Sequence, residues 1–171
     1  DLIAEGLERY RPVNKRMCVQ KLPGGASLVN DVYNANPASM AAGLRTIAAI
    51  DKANRRFAAL GDMLELGESS AEKHHEIGKL VAELGYTYLA VSGQFAAAVV
   101  QGARAGGMAD KSVQIFATPQ DIAPWCCFLF AQGALDAGDW IFVKGSRGMR
   151  MEGFIEALEK GLASIAKGES H

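Results

Sequence analysis

The spacing of hydrophobic positions changes repeatedly along the chain, and each change marks an element. Met17 to Leu22 alternates loosely, as a half-buried strand does. Pro23-Gly24-Gly25 is a turn and Ala26 to Val32 a second strand, so the two are expected to pair as a hairpin. From Pro37 the period becomes helical, with Met40, Leu44 and Ile47 on one face. Arg56 to Leu60 is a short buried strand ending in Gly61-Asp62. Ser70 to Leu84 reads as a helix with Ile77, Leu80, Val81 and Leu84 on one side, stopped by Gly85. A strand from Thr87 to Val91, a helix from Phe95 to Ala105 and a strand from Val113 to Phe116 follow. Thr118 as N-cap and Pro119 at the first helical position start another helix, carrying Ile122, Trp125, Cys126 and Leu129 and ending near Gly133. Trp140 to Val143 is the last strand. The final helix has Met151, Phe154, Ile155, Leu158, Leu162 and Ile165 on one stripe. At the front, Ile3 and Leu7 stand one turn apart in what reads as the end of a helix over 1–9, and Tyr10 to Asn14 breaks the pattern as a linker. Residues 168–171 carry no pattern and are expected to fray.

Strands alternating with helices of this length imply βαβ units. The expected fold is a three-layer, Rossmann-like α/β domain over 11–167, with a mostly parallel sheet and helices on both faces. The segment 1–10 has no core of its own. With the missing initiator Met, it suggests an excised fragment of a longer chain.

Composition removes several functions. With 49% apolar residues, 22% charged residues and a formal net charge of -1, nothing favours nucleic acid or an anionic membrane as partner. No apolar run approaches the roughly 20 residues of a membrane span, and Asp1 to Leu7 does not read as a leader. Cys18, Cys126 and Cys127 form neither a disulfide framework nor a metal spacing, which suits a reducing cytoplasm. Gly-x-x-x-x-Gly-Lys-Ser/Thr is absent, and so is Gly-x-Gly-x-x-Gly after a strand, so the chain lacks both common phosphate cradles.

Four strand-end loops are polar beyond what burial requires: Asp31-Val32-Tyr33-Asn34-Ala35-Asn36-Pro37, Gly61 to Gly67, Ser92-Gly93-Gln94, and Lys144-Gly145-Ser146-Arg147-Gly148. In a parallel sheet all four fall along one edge and could converge on a ligand. The first would equally serve as an Asx turn and helix cap. The fourth places a Lys, an Arg and free backbone N–H groups at a helix N-terminus, which favours an anion; its bland alternative is a glycine turn with solvated cations. Asp62 and Glu65 read as a cap or solvated acids before a cation site. His74 and His75, adjacent on a helix, point about 100° apart and read as exposed histidines without a shared metal. Cys126-Cys127 reads as core filler.

Taken together, Asp31 to Met40, Leu60-Gly61-Asp62-Met63-Leu64-Glu65-Leu66-Gly67, His74 with Gly78, and Val143 to Glu152 resemble, in order and over nearly the whole chain, the C-terminal domain of Mur ligases. The similarity is strongest to the type that adds D-Ala-D-Ala to UDP-N-acetylmuramoyl-tripeptide. The resemblance implies a cytoplasmic step of peptidoglycan synthesis. ATP phosphorylates the tripeptide carboxylate, and the dipeptide amine attacks the acyl phosphate. It implies ATP and magnesium as cofactors of the full-length enzyme, none of them held by this fragment alone, and the enzyme's own N-terminal and central domains as partners. Residues 1–10 would be the trailing helix and linker of the central ATPase domain. By position, Arg16, Asp31, Tyr33 and Asn36 match ATP-binding residues, Asp31 being the acid at the ribose. Asn34 matches the loop facing the amino substrate. Lys144, Ser146 and Arg147 suit the dipeptide carboxylate, a role inferred from their chemistry. Asn30 departs from the pattern, since relatives often carry a second Asp there. No catalytic base, nucleophile or metal ligand is expected in this domain, and the isolated chain is expected to be inactive. The alternatives are another Mur or folylpolyglutamate-type ligase domain and a stand-alone Rossmann-like binding module.

Overall fold

The computed structural model describes residues 16–50 and 54–168. The expected helix over 1–9, the linker at 10–14 and residues 169–171 of the tail lie outside them. In chain order the elements are β1 (Cys18–Lys21), β2 (Ser27–Asp31), α1 (Pro37–Ala49), β3 (Arg56–Leu60), α2 (Ser70–Glu83), β4 (Tyr88–Ser92), α3 (Ala96–Ala105), β5 (Val113–Phe116), α4 (Ile122–Ala131), β6 (Trp140–Lys144) and α5 (Glu152–Ala166). The strands form one sheet in the order β1-β2-β6-β3-β4-β5. β1 pairs antiparallel with β2, as the hairpin pattern predicts, and the remaining pairs are parallel.

This order follows from short right-handed crossovers. The connections β2 to β3, β3 to β4 and β4 to β5 all travel the same way along the sheet, so α1, α2 and α3 cover one face. The return from β5 to β6 reverses direction and puts α4 on the other face, where α5 joins it. Strand residues alternate between the two cores. Ala58, Leu60, Trp140 and Phe142 pack with Leu44, Ile77 and Val99. Phe57, Ala59, Ile141 and Val143 pack with Ile122, Leu129, Phe154 and Leu158. Both faces are dry, which explains why β3 and β6 read as continuous apolar runs.

Two glycines set the spacing of α2 and α3. A Cβ at Gly78 would stand 1.8 Å from the Val99 carbonyl oxygen, and one at Gly102 would stand 1.9 Å from that of His75. The two backbones therefore touch, and no larger residue fits between them.

Two details depart from expectation. The capping box at Thr118 is present, but Pro119–Asp121 forms a 3-10 turn and α4 begins only at Ile122. Ile165, placed on the buried stripe by its spacing, is 45% exposed. It lies beyond Leu162, the last residue of that stripe within the core.

Candidate functional site

The order β2-β6-β3 sets three of the four polar loops side by side at the carboxyl edge of the sheet. Asp31 ends β2 and Lys144 ends β6, directly in register. The Lys144 ammonium donates to Asp31 Oδ2 at 2.6 Å and to the Asn34 carbonyl at 2.9 Å. These side chains are 3% and 9% exposed, so the pair is buried. Asp31 Oδ1 accepts the Met17 N–H at 3.3 Å. A carboxylate offers roughly four lone-pair directions, so these bonds leave Asp31 with acceptor capacity.

Ser146 joins the loops. Its hydroxyl accepts the Leu64 N–H at 2.8 Å and donates to the Ala35 carbonyl at 3.3 Å. Its own N–H donates to the Asp62 carbonyl at 2.9 Å. The Asp62 carboxylate reaches the loop after β4, accepting the Gln94 and Phe95 N–H groups at 2.7 and 3.1 Å. It thus ties down the loop that leads into α3, where a carboxylate is favourably placed for the helix dipole. Gly93 makes this approach possible: at φ +128, a Cβ there would lie 2.4 Å from the Asp62 carboxyl.

Between β2, β6 and α1 lies a cleft of about 350 Å³, lined in part by Arg16, Asp31, Asn34, Asn36, Ser39 and Lys144. At its lip the Arg16 guanidinium lies 4.8 Å above the Tyr33 ring, within cation–π range. Asn36 caps α1: its Oδ1 accepts the Ser39 N–H at 2.8 Å, and the Ser39 hydroxyl accepts the Asn36 N–H at 3.1 Å. Asn34 Oδ1 accepts the Ala35 N–H at 2.8 Å.

The structure therefore brings Arg16, Asp31, Tyr33, Asn34, Asn36 and Lys144 together around one cleft. Ser146 is buried behind it as a junction. Arg147 is 59% exposed on the neighbouring loop and pairs with Glu152 Oε1 at 3.3 Å. The expected cradle of free N–H groups beside Arg147 is mostly occupied from within. The N–H groups of Ser146, Met149 and Arg150 donate to the carbonyls of Asp62, Ser146 and Arg147. A 3-10 turn over Arg147–Met149 precedes α5, which starts only at Glu152.

His74 corrects the reading of an exposed histidine, since it is 1% exposed. Its Nε2 accepts the Met63 N–H at 2.9 Å, so Nδ1 carries the proton donated to the Ser70 carbonyl at 2.6 Å. The ring stacks on Phe95, centroids 4.8 Å apart. Helical spacing could have found it, because His74 stands three and seven residues before Ile77 and Val81 on the buried face of α2. His75 is half-buried, and among the described residues no group of three or more His, Cys, Asp or Glu gathers as a metal cage. Two residues that line the cleft, Met17 and Thr46, give no chemical signal in the sequence.

This geometry defines an α/β domain with a polar cleft at the carboxyl edge of its sheet, beside the strand where the connection order reverses, the place where such sheets usually take ligands. Residues 15–147 match the Mur ligase, glutamate ligase domain, and the chain belongs to that family. It is 28% identical over 155 residues to the UDP-N-acetylmuramoyl-tripeptide–D-alanyl-D-alanine ligase of Bacillus subtilis, covering 91% of this chain and 33% of that protein. To the ligase of the same name from Treponema pallidum it is 35% identical over 163 residues, covering 92% and 32%. The structure of MurF from Acinetobacter baumannii superposes with a TM-score of 0.76 at 30% identity, covering 91% of this chain and 33% of that one. MurF from Thermotoga maritima in complex with ADP shares the fold, with a TM-score of 0.74 at 24% identity, covering 92% and 33%. The chain thus spans about a third of the length of these relatives. Among the described residues no helix is long and apolar enough to cross a membrane.

Proposed function

We propose that this chain is the carboxyl-terminal domain of an ATP-dependent ligase that joins D-Ala-D-Ala to UDP-N-acetylmuramoyl-tripeptide, a cytoplasmic step of peptidoglycan precursor synthesis. The observation that carries this reading is the cleft holding Arg16, Asp31 and Asn36 next to a loop that exposes Arg147 and Arg150. Its volume lies in the range of about 300–1,000 Å³ usual for small-ligand sites.

The residues present fit a nucleotide. Asp31 has acceptor capacity for ribose hydroxyls, and the Arg16–Tyr33 stack offers a flat cationic surface at the mouth. When bound, ATP supplies the phosphoryl group that activates the tripeptide carboxylate. Magnesium and the phosphate cradle belong to the central domain of the longer enzyme, since this chain has no P-loop motif. On the other side, Arg147 takes the dipeptide carboxylate, with Asn34 and Ser146 shaping the wall between the two substrates. An exposed ion pair such as Arg147–Glu152 is worth about 0–1 kcal/mol, so exchanging Glu152 for a substrate carboxylate costs little. The domain contributes positioning and charge stabilisation. Alone, it turns over no ATP.

Steady-state kinetics of the full-length ligase test the division of labour. Asp31→Ala is expected to raise the KM for ATP by about tenfold or more, from a charge-assisted bond worth roughly 1.5–3 kcal/mol. Arg147→Lys loses the planar fork and is expected to raise the dipeptide KM by about ten- to a hundredfold, with little change for ATP. KM values within twofold of wild type for both variants would overturn the assignment.

A further inference from the structure

The ammonium of Lys144 does not share the position of Arg147. Its side chain is 3% exposed, and two of its three N–H donors are directed at Asp31 Oδ2 and at the Asn34 carbonyl. Reaching a carboxylate at the exposed Arg147 would break both bonds and leave Asp31 as a buried, uncompensated charge, which is strongly unfavourable. We propose that Lys144 is a positioning residue of the nucleotide half of the site and acts through Asp31. It fixes the carboxylate so that the remaining lone pairs face the cleft. This inference rests on the nucleotide reading of that cleft.

Three observations support the role. The register places Lys144 opposite Asp31 on adjacent parallel strands, so backbone pairing pre-sets the contact. The bond to Asn34 ties the loop that continues into the Asn36 cap to β6, so one ammonium holds both the acid and the loop. The charges also cancel. A lone carboxylate beside a polyanionic nucleotide would repel it, whereas the pair presents acceptor atoms with no net charge. Strand β6 and its following loop then supply one cation to each half of the site: Lys144 through Asp31 to the nucleotide, and Arg147 to the amino substrate.

The test is a double-mutant cycle in the full-length ligase, read by calorimetric ADP affinity and by the dipeptide KM. Lys144→Met is expected to weaken ADP binding by about ten- to a hundredfold while the dipeptide KM stays within about twofold. Lys144→Arg keeps the charge and should recover part of the loss. In an Asp31→Asn background, which has no carboxylate to compensate, Lys144→Met should add no more than about twofold to the loss of ADP affinity. This background also serves if Lys144→Met alone fails to fold, because the neutral pair leaves no buried charge. A full additional loss in that background means that Lys144 touches the ligand independently and overturns the proposal. A raised dipeptide KM with unchanged ADP affinity overturns it as well. Unchanged ADP affinity in Asp31→Asn alone is a separate result: it removes the nucleotide reading itself, and the proposal with it.

Discussion

Two buried cations stand at opposite edges of the sheet on neighbouring strands, Arg56 at the start of β3 and Lys144 at the end of β6, and their charges are balanced in different ways. The hydrogen bonds of the Arg56 guanidinium go to backbone carbonyls. It donates to the Ala48 carbonyl at 3.0 Å and to those of Leu84 and Gly85 at 3.4 and 3.3 Å, with its guanidinium carbon 5.8 Å from the centre of the Tyr86 ring. Ala48 lies in the last turn of α1 and Leu84 is the C-cap of α2, so the cation sits where two helix dipoles end negative. Lys144 is balanced by a carboxylate that keeps acceptor capacity towards a cleft. At one edge the guanidinium's bonds all go to the fold itself, with Nε left without a partner; at the other the carboxylate keeps acceptor capacity towards a cleft. The comparison teaches that burial of a charge does not by itself mark a site; what separates the two is whether the partner keeps valences open towards a cleft.

The sharpest way to break this comparison is to remove the structural cation. Arg56→Ala would strip three carbonyls at two helix ends of their donor, in a place water reaches poorly. Stability in urea is expected to fall by about 3 kcal/mol, with ADP affinity in the full-length ligase unchanged. Arg56→Lys should recover only part, since one ammonium cannot span the same fork of acceptors. A loss under about 1 kcal/mol would mean that the helix ends find other donors and that the two edges are not so different.

His74 sharpens the comparison from the other side, because it is buried near the carboxyl edge of the sheet yet hydrogen-bonded to backbone as Arg56 is. His74→Leu keeps the apolar volume but orphans the Met63 N–H and the Ser70 carbonyl. A cost of about 2 kcal/mol in urea unfolding is expected, with less than about a threefold change in ADP affinity. A larger loss of affinity than of stability would make the segment 61–64 part of the nucleotide site.

What the sequence made legible follows the same divide. The alternation of strand and helix was readable because both faces of the sheet are dry, so burial alone sets the pattern of β3 and β6. Asp31 and Asn36 were readable in a polar strand-end loop and through the family motif, Arg16 only by its position in the resemblance, and all three do line one cleft. Partners were not readable. Nothing in Lys144-Gly145-Ser146-Arg147 says that the lysine turns inward to Asp31 while the arginine turns outward to Glu152, because that depends on the 3-10 turn over Arg147–Met149 and on the register of β6 with β2. The histidine was misread because its polarity outweighed its spacing. Asp62, read as a cap or a solvated acid, is neither: it is buried and holds the loop after β4 through the Gln94 and Phe95 N–H groups.

The smallest expected effect separates two roles in one residue. Asn36 lines the cleft and also caps α1, with Oδ1 committed to the Ser39 N–H. A ligand would meet its NH₂ group, or the lone pair of Oδ1 that the cap leaves over. Asn36→Ala removes both possibilities and is expected to lower stability by about 1 kcal/mol, the usual cost of a lost N-cap. Asn36→Ser restores an N-cap acceptor but has no amide donor. If the residue only caps, serine should bring back both stability in urea and ADP affinity. If the amide also holds the nucleotide, serine should bring back stability while ADP affinity stays about three- to tenfold weaker, the effect of losing one neutral hydrogen bond worth about 1 kcal/mol. The family position of Asn36 and its place in the cleft favour the second outcome. Full recovery of affinity by serine would assign Asn36 to the fold, alongside Arg56, and leave Asp31 and Arg16 as the nucleotide contacts of this domain.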